Sequence, residues 1–181
     1  GIIVGVYFGA IRGCTESTTT LAPTTTILET TTSDTEPPLQ TIWSQLTPTG
    51  ESPSARSEHA AAYDTTNGLL VIFGGWDSAN VTNNETWTYD ATANTWSNAA
   101  PAGTLPAARA QHQMVYDPAG GKLILFGGIL KSDGDQLKDT WAYDATAKTW
   151  TELQPAGATP SARSSFSMVY DDLDQKVILF G

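Results

Sequence analysis

Apolar residues along this chain gather in short runs rather than at helical spacing. LLVIFGG (69–75), KLILFGG (122–128) and VILFG (177–181) are aliphatic runs closed by glycine. Each follows a segment that ends in Tyr-Asp: HAAAYD (59–64), HQMVYD (112–117) and FSMVYD (166–171). Runs of this length bounded by turn formers predict buried strands. TWTYD (86–90) and TWAYD (140–144) alternate aromatic and polar positions, as half-buried strands do, and Thr95-Trp96 and Thr149-Trp150 open another strand each. Thr66-Asn67-Gly68 predicts a tight hairpin, because Asn-Gly accepts the positive φ of a two-residue turn. Asp117–Gly121 and Asp171–Gln175 fill the same slot in the later copies. No window carries a helical period.

These segments recur at a fixed distance. Arg56, Arg109 and Arg163 head matching stretches, with spacings of 109 − 56 = 53 and 163 − 109 = 54 residues. Such a period marks a repeat architecture in which each unit buries its face against its neighbours. The phase divides the chain into repeat one at 54–100, repeat two at 107–154 and a partial repeat three at 161–181. Before them stands a lone strand at 41–46, TIWSQL, in register with Thr95-Trp96-Ser97. The fold class is therefore all-β, with four antiparallel strands in each full repeat.

The combination of four short strands, a double glycine after an apolar strand, and Tyr and Trp seven apart (Tyr89 and Trp96; Tyr143 and Trp150) resembles the kelch repeat. That family builds β-propellers with one four-stranded blade per repeat. The resemblance covers residues 41–181 and implies a partial propeller of about two and a half blades. It gives structural roles to Gly74, Gly75, Gly127 and Gly128 at the blade ends and to Trp87, Tyr89, Trp96, Trp141, Tyr143 and Trp150 between adjacent blades. It also implies that Arg56, Arg109 and Arg163 hydrogen-bond backbone groups between blades. Because a propeller closes with at least four blades, the chain is expected to be a fragment of a longer protein. The lone strand 41–46 would complete a blade whose other strands come from the C-terminal side.

The residues ahead of the repeats differ in kind. Residues 1–14 are apolar and small-residue rich, ending in Cys14, and Ile11-Arg12-Gly13-Cys14 resembles the lipobox of secreted lipoproteins with Arg12 out of pattern. A truncated signal with Cys14 as a lipidation site, the end of a membrane anchor, and a core strand are three readings of it. Residues 15–38 hold eleven Thr, two Ser and three Pro, too little apolar surface to offset ordering, and predict a disordered linker. Anchor, stalk and folded head together predict a cell-surface or secreted protein, touching a membrane only through its N-terminal segment. The formal charge is −10 with nine Lys and Arg, three of them at the repeated Arg position, so no basic stripe exists to meet nucleic acid.

Candidate chemistry is sparse. His59 and His112 share one repeat position, and the third copy there is Phe166, so packing rather than metal binding or acid–base work is the expected role. Asp133-Gly134-Asp135 lacks the further oxygen ligands of a calcium loop. No metal or cofactor is expected. Asn80-Val81-Thr82 and Asn84-Glu85-Thr86 carry the N-glycosylation acceptor pattern. No nucleophile–base arrangement stands out, and the single cysteine lies outside the repeats. The expected function is a binding or scaffold module for a protein or glycan, reached through Trp76, Asp77, Ile129, Leu130 and Lys131, which follow the double glycines and differ between copies. The alternative is a fragment of a secreted enzyme of the galactose-oxidase type, with its catalysis in other sequence.

Overall fold

A computed structural model describes residues 3–5, 43–130 and 134–181. Among the described residues all regular structure is β. The chain divides into two units, Gly1–Thr47 and Pro48–Gly181. In the first, β1 (Ile3–Gly5) pairs antiparallel with β2 (Trp43–Gln45). Strand β2 falls inside the segment 41–46 and pairs with β1. An extended segment with an open edge takes whichever strand reaches it. Cys14 and the Thr-rich tract lie outside the described residues.

The second unit contains the repeats. Strands β3 (Ala60–Asp64), β4 (Leu69–Phe73), β5 (Thr86–Asp90) and β6 (Thr95–Asn98) form one antiparallel meander. A second is made by β7 (Gln113–Asp117), β8 (Lys122–Phe126), β9 (Thr140–Asp144) and β10 (Thr149–Leu153). A two-stranded sheet follows, β11 (Ser167–Asp171) with β12 (Lys176–Phe180).

The Tyr-Asp pairs explain where strands stop. Asp64 Oδ1 accepts from the backbone N–H groups of Thr66 and Asn67, both at 3.0 Å. Asp90, Asp117, Asp144 and Asp171 bind the second and third residues after themselves in the same way. Each carboxylate thus closes its own turn. The β3–β4 connection is a four-residue loop between Asp64 and Leu69, not a two-residue Asn-Gly turn. Only its last residue, Gly68, has positive φ, at 69°; Asn94, Gly121, Lys148 and Gln175 take that conformation in the other turns.

The sheets stack face to face and fan out from one edge. The inner strands β3, β7 and β11 lie close together, whereas β6 and β10 stay apart. Val71, Phe73, Met114, Tyr116, Leu123, Leu125, Trp141 and Trp150 form the core between the first two sheets. Val115, Phe126, Phe166 and Met168 form the core between the second and third. Tyr89 and Trp96 are cross-strand partners 5.2 Å apart, and Tyr143 and Trp150 repeat the pair at 4.9 Å. Trp150 also crosses to the first sheet, stacking edge-on against Phe73 at 5.0 Å and donating from Nε1 to Thr86 Oγ1 at 3.0 Å. All six aromatic landmarks are buried, and each large apolar side chain removed from water contributes about 1.5–3 kcal/mol. This is the wedge geometry of a propeller.

Candidate functional site

The repeated arginines build one end of the sheets. Arg109 is fully buried; its Nη1 donates to the Gly127 carbonyl at 3.0 Å, and its guanidinium grips Asp139 through two bonds of 2.7 and 2.6 Å. Trp141 Nε1 donates to the same carboxylate at 2.7 Å. Arg56, Gly74, Glu85 and Trp87 repeat the arrangement in the first sheet, and Arg163 reaches the Gly181 carbonyl at 2.6 Å. The guanidinium bonds therefore stay inside each arginine's own sheet. The arginine main chain makes the crossing: the N–H of Gly75 donates to the Arg109 carbonyl and that of Gly128 to the Arg163 carbonyl, both at 2.9 Å. Those carbonyls come so near the preceding glycines that a Cβ at Gly74 would sit 2.5 Å from Arg109 O, and one at Gly127 would sit 2.8 Å from Arg163 O. Glycine is required there by space as well as by its positive φ.

Two residues after each arginine the chain turns sharply. Glu58, Gln111 and Ser165 all have positive φ (55°, 57° and 55°) although none is glycine. Their backbones link hand to hand: Gln111 N–H donates to Glu58 O and Ser165 N–H to Gln111 O, both at 3.0 Å. Holding an ordinary residue in this conformation costs on the order of 1 kcal/mol or more, sustained only when the surroundings fix it. The turn presents three polar side chains along one rim. Ser165 Oγ donates to Gln111 Oε1 at 3.1 Å with the hydroxyl hydrogen placed there, and Trp76 Nε1 donates to Glu58 Oε2 at 2.6 Å.

Two hollows open beside this rim. One of about 190 Å³ is lined by Glu58, His59, Gln111, His112, Gln113 and Ser165. The other, of about 360 Å³, is lined by Ser57, Glu58, Trp76, Asn80, Gln111 and Ile129. Carboxylate, amide, hydroxyl and indole groups can bind and stack on a ligand. Ser165 Oγ is held by an amide oxygen, which is no general base.

Of the loop residues picked from sequence, Trp76 and Ile129 line the larger hollow, although Ile129 is itself buried. Asp77 Oδ1 is occupied in its own loop, accepting from Ala79 N–H at 2.8 Å and Val81 N–H at 2.9 Å. The Leu130 carbonyl accepts from Thr82 Oγ1 at 2.8 Å. Lys131 and Asp133 lie outside the described residues. Asn80 and Asn84 are exposed. His112 stacks edge-on against Phe73 at 5.5 Å, as Phe166 stacks on Phe126 at 5.7 Å one sheet later. Burial, and then the Arg109 charge, push its pKa down to about 3. It is a neutral packing residue. Among the described residues, no three His, Cys, Asp or Glu side chains gather into a metal-holding group. Glu58, Gln111 and Ser165 were missed from sequence. Their signal was a position that reads differently in every copy, Glu, Gln and Ser, as positions 60, 113 and 167 also do.

Comparison with known proteins decides the family. The KLHDC2/KLHL20/DRC7 Kelch-repeats domain matches residues 13–181. This chain belongs to the kelch-repeat family. Its two complete sheets are kelch blades, and the third is the inner half of another. Among its relatives, Kelch domain-containing protein 2 of Bos taurus is 31% identical over 118 residues, covering 62% of this chain and 26% of the relative. Mei4-dependent protein 6 of Schizosaccharomyces pombe is 31% identical over 106 residues, 55% of this chain and 15% of the relative. Multiple epidermal growth factor-like domains protein 8 of Homo sapiens is 35% identical over 109 residues, 60% of this chain and 4% of the relative. The chain thus spans at most 26% of these relatives' length.

Proposed function

We propose that this kelch region is a protein-binding module that takes its partner at the rim formed by Glu58, Gln111 and Ser165. One observation carries the reading: each repeat holds a non-glycine residue at positive φ at this same position, and its side chain differs in all three copies. Uniform strain with varied chemistry suits a recognition surface on a rigid scaffold. Amide, hydroxyl and carboxylate groups beside an indole match the alternating polar and apolar groups of a peptide segment.

The test is binding of peptides selected from a random-peptide phage library. Ser165→Arg or Gln111→Ala at the rim should abolish or strongly weaken binding, whereas Thr92→Arg, in the turn at the opposite end of the first blade, should leave it unchanged. Equal binding by all three variants would place the partner elsewhere; selective capture of oligosaccharides instead would make this a glycan-binding rim. We also propose that the module is displayed outside the cytoplasm, a reading supported by the Thr/Ser/Pro tract 15–38 and by the exposed Asn80 and Asn84 acceptor sites. Expression through a eukaryotic secretory pathway should yield protein whose mobility shifts on enzymatic deglycosylation. Mobility unchanged by that treatment would count against it.

A further inference from the structure

We propose that the larger hollow receives a cationic side chain of the protein partner, arginine in preference to lysine. The inference rests on the rim being the partner-binding face and adds the chemistry of what enters there.

Trp76 Nε1 donates to Glu58 Oε2 at 2.6 Å, so the indole is held against a carboxylate at the edge of the 360 Å³ hollow. A carboxylate has about four acceptor sites, and one indole N–H takes only one of them. An aromatic surface beside an anion is the pairing that attracts a guanidinium or ammonium group. Asn80, Gln111 and Ser57 add oxygen acceptors around the same space, and buried Ile129 supplies apolar surface for the methylene stem of a long cationic side chain. A guanidinium is planar, stacks on aromatic rings and meets a carboxylate through several N–H groups, which favours arginine.

Charge points the same way. Among the described residues, none that lines this hollow is cationic. The nearby Arg56 and Arg109 do not compete for Glu58, because their guanidinium groups are engaged by Glu85 and Gly74 and by Asp139 and Gly127. The formal charge of the chain is −10, a field that draws cationic segments toward it. The pair also changes as a unit. At the equivalent positions of the second repeat Trp76 becomes Ile129 and Glu58 becomes Gln111, so aromatic ring and carboxylate are lost together.

The experiment takes the peptides selected by phage display on the whole chain and measures their affinity by calorimetry. Selected sequences should be enriched in arginine. Replacing that arginine by citrulline, which keeps the shape and loses the charge, should weaken binding about tenfold, as should the isosteric variant Glu58→Gln. The Glu58→Gln variant should also show a smaller loss of affinity on raising salt. Trp76→Leu is the second variant, interpreted only if its thermal melt matches the parent. Peptides that are lost with Ser165→Arg but carry no basic residue, or that bind Glu58→Gln as well as the parent, would overturn the cation site and leave the rim standing. Peptides indifferent to both Glu58→Gln and Ser165→Arg, or no enrichment at all, would overturn both.

Discussion

The three arginines occupy one place in the repeat but do not contribute equally. Arg109 is fully buried and holds a partly buried Asp139 through two short bonds, while Arg163 binds only the Ser161 and Gly181 oxygens near the surface. Removing one partner from a buried ion pair strands the other charge, which costs about 3–5 kcal/mol. Arg109→Ala is therefore expected to lose about that much in urea unfolding, and Arg163→Ala less than about 1 kcal/mol. Acid acts on the same network at two points. His112 is neutral in the fold, with its pKa pushed down to about 3, whereas an unfolded histidine protonates near 6.5. The unfolded state binds the extra proton, so stability falls as pH drops from about 6.5 toward 3, by about 2–3 kcal/mol at pH 4.5. His112→Phe, the residue that the third repeat already uses against Phe126, should remove that slope and leave stability at pH 7 equal or higher. Burial opposes the Asp139 charge, but the bonds and charge of Arg109 hold its pKa below the usual 3.8. Its contribution is present above that value and is lost only at lower pH still.

At the scale of the strand and turn, the two full repeats form a natural double experiment. Tyr89 Oη donates to Asn94 Oδ1 at 2.7 Å. Its counterpart Tyr143 has a buried hydroxyl with no hydrogen-bond partner among the described residues, and Lys148 stands where the first repeat has Asn94. Burial, followed by the Asp144 charge, raises the Tyr143 pKa to about 12. Lys148 also has φ of 52°, a conformation that Asn tolerates better than Lys. Lys148→Asn is expected to stabilise the protein by about 1 kcal/mol, read as a higher urea midpoint. If Tyr143→Phe cancels the gain, the restored hydrogen bond is its source; a gain that persists belongs to the turn. The inner strands of each repeat were legible because β3, β4, β5, β7, β8, β9, β11 and β12 are apolar or aromatic runs ended by Asp or followed by Gly. The hairpin type was not, since Asp64 takes over the turn that Asn67-Gly68 alone would have formed differently.

At the scale of the molecule, the apolar face of each blade is covered by the blade that follows. Phe73 and Phe126 are buried in this way, under His112 and Phe166. Phe180 occupies the same repeat position and is 84% exposed, beside exposed Val169 and Ile178 on the open sheet of β11 and β12. An open edge with an apolar face favours association. Sedimentation velocity on this chain should show mass increasing with concentration, and Phe180→Lys should reduce it. Behaviour as a monomer at all concentrations would show that this face is otherwise protected.

The period, the strand count and the packing of His112 and Phe166 follow from the order of residues alone, because each repeat must bury the same face and so must write the same pattern; His59, at the same position of the first repeat, is exposed. The proposed rim could not be read that way. Glu58, Gln111 and Ser165 lie more than fifty residues apart (111 − 58 = 53; 165 − 111 = 54) and share no chemistry. Only the stacking of blades brings their backbones into hydrogen-bond contact, and only the strained turn after each arginine reveals that the position is special. Likewise, no spacing rule could tell that each guanidinium serves its own blade while the main chain joins the preceding one; that division depends on which groups are left unpaired once the sheets have packed.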